Sequence, residues 1–208
     1  RGPDATGVWQ AEKKNIILLI QRLATQDKRA IANQPCWSSD KKIVAVLNGE
    51  IYNHGELRDK LKLKGYNFST NNDTEVIANL IEYNLLYMSN NIEDAIQNTI
   101  EQLEGTWALI IVYTKQLDTY YVTRHGSPLL LGSNENYTIC TSESNGFVGL
   151  IYDYIVLDNH DIIKVTNNDY KSINNNKEYT IKKVSYDSIV DISNEYHHRM
   201  IKEIMEQH

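Results

Sequence analysis

The sequence predicts an α+β protein in which two sets of antiparallel strands flank a central helical stretch. Three observations predict it. β-branched and aromatic runs of strand length recur before residue 48 and again after residue 105. Apolar residues at helical spacing fill the segment between them. Strands and helices do not alternate in the manner that builds a parallel sheet.

Along the chain, Gly7 to Gln10 and Ile16 to Ile20 read as strands joined by a turn at Glu12-Lys13-Lys14-Asn15. Ile43 to Leu47 is a β-branched run that ends at Asn48-Gly49, a dipeptide that commonly closes a hairpin. Glu56 to Gly65 reads as a short helix with Leu57, Leu61 and Leu63 on its apolar side and Gly65 as its stop. A second helix, capped by Asp73 or Thr74, runs to about Met88, with Ile77, Leu80, Ile81 and Leu85 facing inward. A third spans Ile92 to Leu103 and stops at Gly105. Then come short strands: Trp107–Tyr113, Thr119–Arg124, Leu129–Gly132, Tyr137–Thr141, Tyr154–Leu157, Asp161–Thr166 and Tyr179–Val184. Helical character returns from Glu195 to Gln207. There is no internal repeat, so residues 1–194 read as one domain and 195–208 as a connector helix.

Composition narrows the function classes. The 208 residues are 41% apolar and 23% charged, with a net charge of −6 and no basic run or basic-aromatic stripe. Nucleic acid is therefore not an expected partner. The apolar runs are of strand length, short of the ~20 residues of a membrane helix. Two cysteines, Cys36 and Cys140, make neither a disulfide framework nor a zinc cluster, and a cytoplasmic location is expected. No metal or cofactor is expected.

Several residues have two readings. Asn48-Gly49-Glu50 is either a turn or an oxyanion hole, in which a side-chain amide and a backbone N–H meet a developing alkoxide. Arg22 is either a surface arginine or a fork for a carboxylate. Asp73 is a helix cap, the partner of an ammonium group, or both. His54 and the His197-His198 pair lack metal partners at useful spacing and read as structural or surface residues.

The order of the motifs adds a resemblance. Asn48-Gly49-Glu50-Ile51-Tyr52-Asn53-His54 with Glu56-Leu57-Arg58 resembles the signature of class II glutamine amidotransferases, asparagine synthetases in particular. Arg1-Gly2-Pro3-Asp4 with Gly7, Arg22-Leu23-Ala24-Thr25 with Asp27 and Gln34-Pro35, and Asn72-Asp73-Thr74-Glu75-Val76-Ile77 are similar to further family segments, in the family's order. Leu103-Glu104-Gly105-Thr106-Trp107-Ala108 is similar to a segment common to the superfamily. Arg124-His125-Gly126-Ser127-Pro128-Leu129, Tyr154 to Leu157 with Asp161-Ile162, and the tail His198 to Gln207 resemble the glucosamine-6-phosphate synthase branch. The front thus has the short spacing of asparagine synthetases, with Leu23 and Gln34 where the glucosamine branch has Trp and His.

This resemblance implies an N-terminal-nucleophile hydrolase fold, a four-layer αββα sandwich of two antiparallel sheets. It implies an N-terminal cysteine as nucleophile with its own α-amine as base. That cysteine is not among the residues given, so the domain is expected to lack its first strand and nucleophile and to be inactive alone. By the same resemblance Asn48 and Gly49 form the oxyanion hole, and Arg1 sits beside the nucleophile. Arg22, Thr25, Glu50 and Asp73 would bind L-glutamine. The ammonia would feed a C-terminal sugar-phosphate isomerase domain that makes glucosamine 6-phosphate from fructose 6-phosphate, in a homo-oligomeric enzyme. The alternatives are the glutaminase of an asparagine synthetase or amidophosphoribosyltransferase, and an inactive glutamine-binding module.

Overall fold

A computed structural model describes residues 2, 4–12, 15–23, 27–116, 118–166 and 169–184. The chain opens with a hairpin of β1 (Ala5–Gln10) and β2 (Ile17–Arg22), followed by β3 (Cys36–Trp37) and β4 (Ile43–Ile51). Three helices follow: α1 (His54–Leu63), α2 (Asp73–Tyr87) and α3 (Ile92–Ile100). The rest is β5 (Gly105–Tyr113), β6 (Thr119–His125), β7 (Leu130–Ser133), β8 (Thr138–Thr141), β9 (Asp153–Val156), β10 (Ile162–Thr166), β11 (Asp169–Ser172) and β12 (Lys182–Lys183).

Side-chain alternation on the strands separates two apolar layers. A six-stranded sheet in the order β11-β10-β6-β5-β4-β3 carries Ile43, Ala45, Leu47 and Ile51 of β4 on one face. Trp107, Leu109 and Ile111 of β5 share that face, and all pack against the three helices. On the other face, Val44, Val46 and Val112 meet Leu18, Trp9 and Ile20 of the hairpin. Further along this face, Ala108, Val122, Ile163 and Val165 meet Leu131 and Ile155 of a four-stranded sheet ordered β12-β9-β7-β8. The α+β class and the packed antiparallel sheets are as predicted; among the described residues, α-helices cover one outer face only.

Several expectations need correction. Asn48-Gly49 does not turn the chain: β4 continues through it to Ile51 in unbroken register, from Ile43 opposite Tyr113 to Ile51 opposite Gly105. Two strands carry no strand signal in the sequence: β3 has only two residues, and β11 (Asp169–Ser172) is mostly polar. The strand expected at Tyr179–Val184 shrinks to Lys182–Lys183, paired with β9. The helix expected to reach Leu103 ends at Ile100, and Gly105 opens β5 instead of stopping the helix. The N-cap of α2 is Asn72, whose side chain accepts from the Thr74 N–H. On α1, Leu57 and Leu61 are buried one turn apart, whereas Leu63 is 87% exposed. Six residues on from Leu57, it falls on the far side of the helix. The expected connector helix lies outside the described residues.

This contrast is measurable. Leu61→Ala is expected to lower the unfolding free energy by about 2–5 kcal/mol. Leu63→Ala should stay within about 0.5 kcal/mol of the parent. Urea midpoints at constant slope read both, and equal losses would contradict the packing.

Candidate functional site

The central feature is the free edge of β4. Residues 47, 49 and 51 share one N–H direction, because a strand in continuous register alternates its donors. The Leu47 N–H donates to Gln34 Oε1 at 2.6 Å, while Gln34 Nε2 donates back to the Leu47 carbonyl at 3.0 Å. The Ile51 N–H donates to Asp73 Oδ2 at 3.1 Å. Both point away from β5, and the Gly49 N–H between them points the same way. Gly49 has φ +152°, and a Cβ there would lie 2.1 Å from the Thr106 carbonyl oxygen, so only glycine fits.

Asn48, on the opposite face of β4, is exposed and reaches into a cleft of about 1290 Å³. Val46, Ala108, Ile110, Tyr120 and Val165 of the six-stranded sheet line this cleft, together with residues 16–21 of β2 and its approach and 138–142 of β8. Consecutive residues of β2 and β8 line it, so these strands present their edges, and among the described strands neither edge is paired.

Arg22 closes β2 and is buried. Its Nη1 donates to Asn33 Oδ1 at 2.9 Å and its Nη2 to the Asp27 carbonyl at 2.5 Å. Among the described residues two of its five donors are thus engaged, and the fork is fixed in direction. Asp73, the first residue of α2, is also buried; its Oδ1 accepts from the Thr74 N–H at 2.8 Å. Burial raises its carboxyl above the usual range, while the Ile51 and Thr74 N–H groups and the charge of His54 pull the other way. Arg22 and Asp73 lie close enough to act electrostatically on one buried thiol, that of Cys36. Glu50 is exposed and lies between Gly49 and Ile51 on β4.

Of the residues expected at a site, Asn48, Gly49 and Glu50 share one strand end, and Asp73 is bonded to it. Arg22 stands at the end of β2. Arg1 and Thr25 lie outside the described residues, as does the His197-His198 pair. Sequence reasoning missed the supports: Gln34, Asn33 and Asn72. For Asn72 there was a signal, the Asn immediately before a helical pattern. Gln34 stood in a family-like segment, but nothing in the sequence showed that its amide acts as a substitute strand residue for β4.

A smaller hollow of about 550 Å³ lies along α2, but its polar residues serve the fold. Glu75 accepts from Ser69 and Thr70, Asn79 from Ser39, and Glu82 from the Asp40 N–H. Among the described residues no three His, Cys, Asp or Glu side chains are grouped to hold a metal.

Comparison with known proteins gives a consistent pattern. A family model described as a glutamine amidotransferase domain matches residues 1–200. A glutamine–fructose-6-phosphate aminotransferase (isomerizing) of Thermococcus kodakarensis is 38% identical over 170 residues, which are 80% of this chain and 28% of that protein. One of Clostridium acetobutylicum is 32% identical over 197 residues, 93% of this chain and 32% of that protein. The chain therefore spans about a third or less of the length of these curated relatives. Among solved structures, the glutamine phosphoribosylpyrophosphate amidotransferase of B. subtilis, complexed with ADP and GMP, aligns with a TM-score of 0.57 and 25% identity. The alignment covers 67% of this chain and 31% of that one.

Neither described thiol is suited to nucleophilic work. Burial, then the charges of Glu75 and Asp73, pushes Cys36 up to about 12 against a weaker pull from Arg22. Burial likewise pushes Cys140 up to about 12, and its S–H donates to Tyr120 Oη at 3.7 Å. Such thiols are almost wholly protonated near pH 8. Iodoacetamide is therefore expected to label both far more slowly in the folded chain than in urea, as peptide mass spectrometry would read. Rapid labelling of native Cys36 would overturn this.

Proposed function

Because the chain belongs to the glutamine amidotransferase domain family, we propose that it binds L-glutamine at the end of β4 and activates the side-chain amide for release of ammonia. The observation that carries this is the donor series of β4. Gln34 takes the Leu47 N–H and Asp73 takes the Ile51 N–H, so the Gly49 N–H faces the same open edge between them. Asn48 sits beside it at the cleft. A carbonyl oxygen held there receives two fixed donors.

In this reading Arg22 forks onto the α-carboxylate and Asp73, helped by Glu50, takes the α-ammonium. The nucleophile is the N-terminal cysteine that the family resemblance implies, and the unpaired edges of β2 and β8 support a further strand lying in the cleft to carry it. Its thiolate forms a C–S bond to the carboxamide carbon, and the carbonyl electron pair moves onto oxygen. Asn48 and the Gly49 N–H hold that oxyanion. On collapse the C–N bond breaks, nitrogen takes a proton from the base and leaves as ammonia, and water later cleaves the thioester to glutamate. Removing one such donor costs about 10²–10³ in rate.

The names of the relatives support transfer of the ammonia to fructose 6-phosphate in a linked isomerase domain, giving glucosamine 6-phosphate. A second reading, transfer to phosphoribosylpyrophosphate, is favoured by the structural likeness. Supplying each acceptor to the full-length protein separates them.

In the full-length protein, Asn48→Ala is expected to lower glutamine-dependent kcat about 10²-fold. Asp73→Asn should raise glutamine KM roughly 30-fold, since a charged hydrogen bond contributes about 2 kcal/mol. Synthesis from free ammonia should persist in both. A parental glutamine rate for Asn48→Ala would remove the oxyanion assignment.

Binding of the ammonium needs ionised Asp73, whose carboxyl is raised by burial. Glutamine KM should therefore rise on acidification, beginning above the ~3.9 of an exposed aspartate, and Asp73→Asn should flatten that rise. A KM profile unchanged by the substitution would exclude Asp73 as its source.

A further inference from the structure

We infer that Asn72 is a positioning residue that holds the Arg22 and Asp73 ends of the glutamine cradle at a fixed separation; this rests on the roles just proposed for those two residues. Arg22 is aimed by the segment 27–33, through Asn33 Oδ1 and the Asp27 carbonyl. Asp73 is aimed by the start of α2. These pieces are far apart in sequence, and two hydrogen bonds join them. Asn72 Nδ2 donates to the Ala32 carbonyl at 2.7 Å, and the Asn71 N–H donates to Asp27 Oδ2 at 3.0 Å.

Asn72 is 4% exposed and uses both ends of its amide. Oδ1 accepts from the Thr74 N–H at 2.8 Å, capping α2, while Nδ2 reaches across to Ala32. Arg58 Nη2 donates to the Asn72 carbonyl at 3.1 Å, which fixes the backbone from behind. A cap alone needs only an acceptor, and Ser or Asp would serve. An amide carries its donor and its acceptor on separate atoms, so it caps α2 and reaches Ala32 at once, whereas a Ser hydroxyl holds both functions on one oxygen. The clasp therefore explains why Asn stands here, where a cap by itself does not.

A ligand carrying both α-groups must span Arg22 and Asp73, so it senses their spacing. A ligand with the α-carboxylate alone does not. Asn72→Ser keeps a capping oxygen and loses the reach to Ala32. In the full-length protein it is expected to weaken L-glutamate binding about tenfold by calorimetry, the loss of one buried hydrogen bond. Glutaramate, which is glutamine without its α-amine, should lose no more than about twofold.

In kinetics the same variant should raise glutamine KM and leave kcat near parental. Asp27→Ala, which opens the second link and leaves the cap intact, should give the same split and serves if the Ser variant does not fold. Equal losses for both ligands, or no loss for either, would overturn the clasp. Arg22→Ala separates this from the underlying reading. If it weakens glutamate and glutaramate alike while Asn72→Ser does nothing, the cradle stands and the clasp fails. If Arg22→Ala leaves both affinities unchanged, the cradle itself is wrong.

Discussion

Strand β4 pairs along nine residues with β5, and the pairing survives a close approach of the Thr106 carbonyl because Gly49 has no side chain there. Any other residue would meet that oxygen and adopt a backbone angle that L-residues avoid. The ladder would break two residues before Ile51. Since Ile51 is where Asp73 attaches, a break would also free the start of α2. The continuity of one strand through one glycine thus fixes the donor at Gly49, the register position of Asn48 and the point where Asp73 attaches.

The same strand separates the two packing layers. Odd-numbered β4 side chains enter the helical core and even-numbered ones face the hairpin. Asn48 continues the even series beyond Val46, at the point where the apolar floor gives way to the cleft mouth. A polar side chain at that register position is therefore exposed without any rearrangement of the strand. Toward the other edge, β3 pairs only with Val44 and Ala45, so beyond it the Leu47 and Ile51 N–H groups are answered by side chains and the Gly49 N–H between them faces the site. A short neighbour strand makes the site edge available.

Much of this was legible from residue order, and the illegible parts have physical causes. Helical periodicity found α1, α2 and α3, and the motif order pointed to Asn48, Gly49, Arg22 and Asp73, which the structure places on β4, at the end of β2 and at the start of α2. Leu63 is apolar but lies six residues on from Leu57, so the helical angle turns it to solvent where its residue type alone suggests burial. Asn48-Gly49 read as a turn because the local signal is the same for a turn and for a strand crowded by its neighbour; only Thr106, more than fifty residues away, distinguishes them. Gln34, Asn33 and Asn72 act through amide bonds to Leu47, Arg22 and Ala32, eleven to forty residues away, and no spacing rule records such bonds.

On the role proposed for it, Asp73 sets stability and binding against each other in this arrangement. Burying its carboxyl disfavours the charged form, and two backbone N–H groups and the charge of His54 offset that only partly. An ammonium group arriving at Asp73 meets a carboxylate already stripped of water, so their attraction is little screened. The same N–H groups that make the buried charge tolerable also fix its direction, with one oxygen on the Ile51 N–H of β4 and the other on the Thr74 N–H of α2. A more exposed aspartate would cost the fold less, but it would hold an ammonium weakly and in no fixed place. The strain is therefore concentrated on the side chain that bridges β4 and α2, where an ionic partner relieves it.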